Sequence, residues 1–200
     1  MTYQRLALDC SASVYRKDNV EDTRILWTGE VEHIQFEVSF YKPLKVLVVA
    51  FAGSNELKDF GRHVFVRRKQ GVHRGWLKDW QRVRSTVAAV VNEHLDKAEV
   101  VLITGHSYGG SLAQQAARWL AERIGGQRIL LYTFGAPRLG NKKFAQSLND
   151  LIPMHFRYTV ANDPVPHLPF GIRYKHAGVH QKLKHGWPGH SIHTYEELLK

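Results

Sequence analysis

The chain has 200 residues, 44% of them hydrophobic and 23% charged, which suits one domain with a sizeable core and excludes a disordered or low-complexity polymer. Its single cysteine excludes an internal disulfide and a cysteine-rich metal site. A formal net charge of +10, from 28 Lys and Arg against 18 Asp and Glu, favours anionic partners but specifies no chemistry.

The opening segment, MTYQRLALDCSASVYRKDNV, breaks its apolar run with Arg5, Asp9 and Lys17 and so lacks the core of a signal peptide. It reads as a first helix, with Cys10 as a small apolar residue. The expectation that follows is a cytoplasmic or intracellular protein. IQFEVSFY at 34–41 alternates like a half-exposed strand, a Lys-Pro turn follows, and KVLVVAFA at 45–52 is continuously apolar, as a strand covered on both faces should be. The run 46–52 is the longest aliphatic stretch, far short of the roughly 20 residues that cross a bilayer.

VRRKQ at 66–70 is the densest basic run. With no interleaved aromatics or nucleic-acid motif it reads as a solvated loop. Apolar residues at Trp76, Trp80, Val83, Val87, Val90 and Val91 recur at helical spacing. EVVLIT is then a buried strand, 109–123 a helix, QRILLYTF a strand, NKKFAQSLND a helix capped by Asn141, and MHFRYTV a strand. A loop-rich stretch leads to HSIHTYEELLK, a closing helix. Strand and helix patterns alternating without repeat or linker predict a single α/β domain over 1–200 with a mainly parallel sheet.

Gly105-His106-Ser107-Tyr108-Gly109 fits G-x-S-x-G between a predicted strand and a predicted helix, where a nucleophile elbow needs it. The alternative is a glycine-rich turn that only permits tight packing. A hydroxyl alone is a poor nucleophile, so Ser107 requires a base and an orienting acid. His106, next to it on a sharp turn, points elsewhere and reads as a hydrogen-bonded bystander. In this architecture the order is Ser, then Asp or Glu, then His. Asp163, in the proline-stiffened loop after MHFRYTV, fits the acid, with an Asx turn before Pro164 as its plain reading; Asp150 ends a polar helix. The base lies among His155, His167, His176, His180, His185, His190 and His193. His190 stands at the mouth of the last helix, after GWPG, where a loop can carry it back over the strand ends, and His193 is one turn further on. His185, His190 and His193 also permit a metal reading, which no Cys or HExxH pattern supports. No metal or cofactor is called for.

With these residues in place, the sequence resembles the class 3, or fungal-type, lipases over roughly 44–196. VLVVAFAGSNELKDF, GVHRGW, VVLITGHSYGGSLA, TFGAPRLGN, RYTVANDPVPHLP and HSIHTY follow in that family's order. The resemblance implies an α/β-hydrolase fold, Ser107 as nucleophile, Asp163 as acid and His190 as base. It places the oxyanion hole at Ser54 and the Tyr108 N–H. The implied activity is hydrolysis of acyl esters of lipids through an acyl-enzyme, and the basic surface is compatible with phospholipase A1 action at an anionic membrane. Two departures stand out: Ala52 where many members have Arg before the oxyanion glycine, and a basic segment at 57–71 where the family carries an apolar lid. The rival reading is a non-catalytic module holding anionic membrane or nucleic acid on its basic face; retention of all three triad residues argues against it, and nucleic acid is not the expected partner.

Overall fold

A computed structural model describes residues 1–54, 71–184 and 189–200, with the backbone of 68–69. The basic run at 66–70 and the segment at 57–71 compared with a lid lie almost wholly outside the described residues. Helix α1 (Tyr3–Arg16) is followed by strands β1 (Thr23–Val31), β2 (Ile34–Tyr41) and β3 (Val46–Phe51), then a short pair, β4 (Arg68–Lys69) and β5 (Val72–His73). Helix α2 (Arg74–His94), β6 (Val100–His106), α3 (Tyr108–Ile124), β7 (Ile129–Phe134), α4 (Lys142–Leu151), β8 (His155–Val160), β9 (Val179–Leu183) and α5 (Ile192–Leu198) complete the order.

Seven strands form one sheet in the order β1-β2-β3-β6-β7-β8-β9. The first two pairings are antiparallel and the other four parallel, which is the mainly parallel α/β sheet expected. The order never reverses along the chain. Right-handed crossovers that all step the same way leave their helices on one face, and α2, α3 and α4 accordingly share one core cluster. The other face is covered by α1 and α5, from the two ends of the chain.

The continuously apolar strands follow from this two-sided covering. In β3, Leu47, Val49 and Phe51 enter the first core, and Val46, Val48 and Ala50 enter the second. β7 divides in the same way, with Ile129 and Leu131 against Leu130, Tyr132 and Phe134. Side chains alternate between faces along a strand, so a strand with a core on each side must be apolar at both parities.

The half-exposed reading of 34–41 is corrected. Glu37 and Ser39 are buried, and the Gln35 side-chain amide donates to the Val14 carbonyl at 2.8 Å. Helix α1 covers the polar parity that alternation alone assigned to water. Burial raises the Glu37 pKa, partly offset by its hydrogen bond with Ser39. Strands β1 and β9 were not anticipated. They are the edges of the sheet, where one side of the ladder faces solvent and mixed residues are tolerated, so neither shows clean hydrophobic alternation. Asn141 caps α4 as expected, accepting from the Phe144 N–H at 2.9 Å.

Candidate active site

Strand β6 ends at His106 and α3 begins at Tyr108, leaving Ser107 alone at the turn. Its φ of 56° and ψ of −126° lie where L-residues are strained by about 1–3 kcal/mol. Two backbone hydrogen bonds hold it there: Ser107 N–H donates to the Phe134 carbonyl at 2.8 Å, and Gly110 N–H donates to the Ser107 carbonyl at 3.0 Å. The flanking glycines have no room for a side chain. A Cβ on Gly105 would meet the Gly109 carbonyl, and one on Gly109 would meet the Phe51 carbonyl and lie 2.6 Å from that of Ala52.

The turn brings Ser107 to His190, whose Nε2 lies 2.7 Å from Ser107 Oγ. His190 Nδ1 lies 2.8 Å from Asp163 Oδ2. A carboxylate only accepts, so Nδ1 carries the proton and Nε2 presents its lone pair to the serine hydroxyl. Asp163 is 1% exposed. Its Oδ1 accepts from the Val165 N–H at 2.9 Å, and its Oδ2 accepts a second hydrogen bond from the Tyr195 hydroxyl at 3.2 Å. The Asx-turn reading and the triad reading of Asp163 thus describe the two oxygens of one carboxylate. Gly135 lies beneath the group at φ 61°, where a Cβ would sit 3.1 Å from the His190 ring and 3.2 Å from Asp163 Oδ2.

Two contributors escaped the sequence reading, Tyr15 and Tyr195. Tyr15, on α1, accepts from the Gly53 N–H at 2.6 Å, and its hydroxyl lies 2.8 Å from His106 Nδ1. His106 Nε2 lies 2.6 Å from the His190 carbonyl. A carbonyl accepts, so Nε2 carries the His106 proton and Nδ1 accepts from Tyr15. The result is a one-directional chain from Gly53 through Tyr15 and His106 to the His190 backbone, with His106 the hydrogen-bonded neighbour that its place beside the serine suggests. Tyr195 is the second. Tyr15 and Tyr195 reach the site from the two ends of the chain.

Burial, then the His190 charge, lowers the His106 pKa to about 3, which keeps it in the neutral form that the chain requires. His155 is likewise lowered to about 3, by burial first and then Arg157. Both imidazoles titrate near 6.5 when unfolded, so between those values the unfolded state binds protons that the folded state excludes. Stability is therefore full above pH 6.5 and falls as the pH drops towards 3, by up to about 1.4 kcal/mol per pH unit for each group. Urea midpoints are expected to be lower at pH 5 than at pH 7.5; equal midpoints would mean that the folded protein protonates both rings.

An open pocket of about 320 Å³ lies over the serine, lined by Tyr15, Ser54, His106, Ser107, His190, Ser191 and Ile192. Ser54 thus lines the same pocket as Ser107. The Tyr108 N–H is the first of α3, one of the four that a helix leaves without an internal partner, at the positive end of the helix dipole. The Tyr108 side chain turns away, donating to Asp79 Oδ2 at 2.9 Å.

The other histidines lie elsewhere. His193 is 73% exposed, with Glu196 and Glu197 each at 3.4 Å. His176 Nε2 donates to the Pro166 carbonyl at 2.7 Å, His180 Nε2 lies 2.7 Å from Thr159 Oγ1, and His185 is outside the described residues. Asp150 accepts from Gln146 at 2.8 Å on the exposed face of α4. Among the described residues, no three His, Cys, Asp or Glu are grouped to hold a metal.

A family model described as Lipase (class 3) matches residues 43–172. The secreted mono- and diacylglycerol lipase 1 of Fusarium solani is 38% identical over 109 residues, 52% of this chain and 32% of its own. A lipase of Rhizopus oryzae is 30% identical over 211 aligned residues, 98% of this chain and 47% of its own. The chain thus spans about a third to a half of these relatives' length. The crystal structure of the Rhizopus microsporus var. chinensis lipase superposes with a TM-score of 0.78 at 26% identity, covering 90% of this chain and 71% of that one.

That a relative of this chain is a secreted lipase overturns the expected cytoplasmic or intracellular placement. One cysteine cannot form an internal disulfide under any redox condition, so it reports on no compartment, and Cys10 is a buried core residue of α1.

Proposed function

The chain belongs to the class 3 lipase family, and from that premise we propose that it is a serine carboxylester hydrolase that cleaves acyl esters of lipids. The observation that carries this reading is the Ser107–His190–Asp163 hydrogen-bond chain, 2.7 and 2.8 Å long, at a strand-to-helix turn open to a pocket. His190 Nε2 takes the proton as Ser107 Oγ attacks the ester carbonyl, and Asp163 holds the imidazolium that forms. Ser54 and the Tyr108 N–H stabilise the oxyanion. The leaving alcohol departs with the proton from His190, and water, activated by the same imidazole, releases the acid. A fluorophosphonate probe is expected to label Ser107 in the folded protein; an unlabelled protein would rule out an activated serine.

Acylglycerols are the substrate class that kinship with a mono- and diacylglycerol lipase favours. The net charge of +10 supports a second reading, phospholipase A1 action on anionic phospholipid, because a positive field raises the local concentration of an anionic surface. Release of the sn-1 acyl chain from a positionally labelled anionic phospholipid distinguishes it from acylglycerol hydrolysis alone.

Tyr15 acts through other groups, joining Gly53, beside the oxyanion residue Ser54, to the backbone of the base. Tyr15→Phe removes a donor and an acceptor from that chain. A net hydrogen bond is worth about 0.5–1.5 kcal/mol, so kcat is expected to fall by about 3- to 10-fold with little change in KM. An unchanged kcat would mean that the chain of hydrogen bonds is structural only.

A further inference from the structure

A second polar site follows from strand parity. In β8, Phe156, Tyr158 and Val160 stay with the α1/α5 core, whereas the opposite parity carries His155, Arg157 and Thr159. β9 pairs in parallel with a register that sets His180 beside Arg157 and Lys182 beside Thr159. The sheet therefore ends in a cationic face instead of an apolar one. Arg138, from the segment after β7, and the loop carrying Pro166 and His176 close this face into a cavity of about 180 Å³.

The charge in this cavity is balanced only in part from within, three cations facing the one carboxylate of Asp163. Arg157 is 9% exposed, and its Nε has no hydrogen-bond partner among the described residues. None of the ion pairs among the described residues includes Arg138, Arg157 or Lys182. Asp163 borders the cavity, but its oxygens already accept from Val165, His190 and Tyr195. Burial and then the neighbouring Arg138 lower the Arg157 pKa to about 10, which still leaves the guanidinium charged at neutral pH. His180 is lowered by burial and then by the charges of Arg157 and Lys182. Three cations thus surround a solvent-connected cavity, and the most buried of them has an unused donor. A buried unpaired charge is strongly unfavourable, and an anion seated against it would remove that penalty.

We propose that this cavity binds a phosphate group, with Arg157 as its floor and Arg138 and Lys182 at its sides. A carboxylate's two oxygens would occupy one guanidinium fork. A phosphate carries up to two charges and offers oxygens in several directions, which suits donors converging from β8, β9 and the segment after β7. The group belongs either to a soluble phosphate or to a phospholipid headgroup. The cavity lies at the carboxyl ends of β8 and β9, the same end of the sheet as Ser107, and it requires no ester hydrolysis to fill.

The test uses Ser107→Ala protein, so that no lipid is cleaved, and isothermal calorimetry with inorganic phosphate at an ionic strength held constant with sodium chloride. Saturable binding is expected, weakened about tenfold or more by Arg157→Leu. Lys182→Gln, at an exposed position, is expected to weaken it in the same direction and guards against misfolding of the first variant. Phosphate should also raise the thermal midpoint of the parent more than that of either variant. A second arm uses phosphatidylcholine vesicles with and without phosphatidic acid. Arg157-dependent association that inorganic phosphate competes away assigns the site to a headgroup; phosphate binding with vesicle association unchanged by Arg157→Leu assigns it to a soluble phosphate. Absence of saturable binding in both arms, or equal binding by parent and variants, overturns the proposal and leaves only the diffuse field of the +10 chain.

Discussion

Hydrolysis of a p-nitrophenyl ester by the Ser107→Ala protein is expected to fall by about 10⁶-fold in kcat, the order seen when the nucleophile of a comparable triad is removed. The size of the effect comes from geometry. Ser107 Oγ lies 2.7 Å from His190 Nε2, which presents a lone pair, and the other hydroxyls around the pocket have different tasks. Ser191 caps α5, its Oγ accepting from the His193 N–H at 3.2 Å, and Ser54 follows the glycine tied to Tyr15. Removing Oγ leaves the pocket lining and the proposed oxyanion donors in place, so KM should change far less than kcat. Residual catalysis of about 10³–10⁴ over water would be the share of binding and the oxyanion hole. Wild-type activity in this variant would move the nucleophile away from Ser107.

The serine turn was legible because its causes are local. Gly105 and Gly109 are required by backbone within five residues and by the adjacent β3, and the apolar strand before them announces a two-sided sheet. The same logic misjudged β2. Alternation shows that two faces differ, but not that the polar one meets water, and α1 covers Glu37 and Ser39. Edge strands β1 and β9 were invisible because a ladder with one open side imposes little hydrophobic pattern. Tyr15 and Tyr195 were out of reach for another reason. They contact residues 91 and 32 positions away, and no local period encodes a hydroxyl that arrives from the far end of the chain. β8 is the intermediate case. Its polar parity is plain in HFRYTV, yet only the register with β9 shows that the basic residues of two strands gather on one face.

Asp163→Asn is the second large effect expected, a loss of about 10⁴-fold in kcat through the tautomer of the base. Asp163 receives three hydrogen bonds, from Val165 N–H, His190 Nδ1–H and Tyr195 O–H, and an ionised carboxylate accepts all of them. An asparagine has one accepting oxygen and an NH2 that only donates. If the oxygen stays with Val165, the NH2 faces two donors, and His190 relieves the clash by moving its proton to Nε2. Ser107 then meets an N–H instead of a lone pair and loses its base. If the oxygen turns to His190, the N–H of Val165, a residue 3% exposed, loses its acceptor where water cannot replace it cheaply. Tyr195→Phe separates this effect from ordinary loss of packing. It deletes the hydroxyl that donates to Asp163 and accepts from the Val160 N–H at 3.3 Å, and it leaves the His190–Asp163 contact intact, so its expected cost is about 3- to 10-fold. A ratio near unity between the two variants would mean that Asp163 only shapes its loop. A thousandfold gap, measured as kcat on the same ester with both proteins folded by circular dichroism, would establish that it sets the proton on His190.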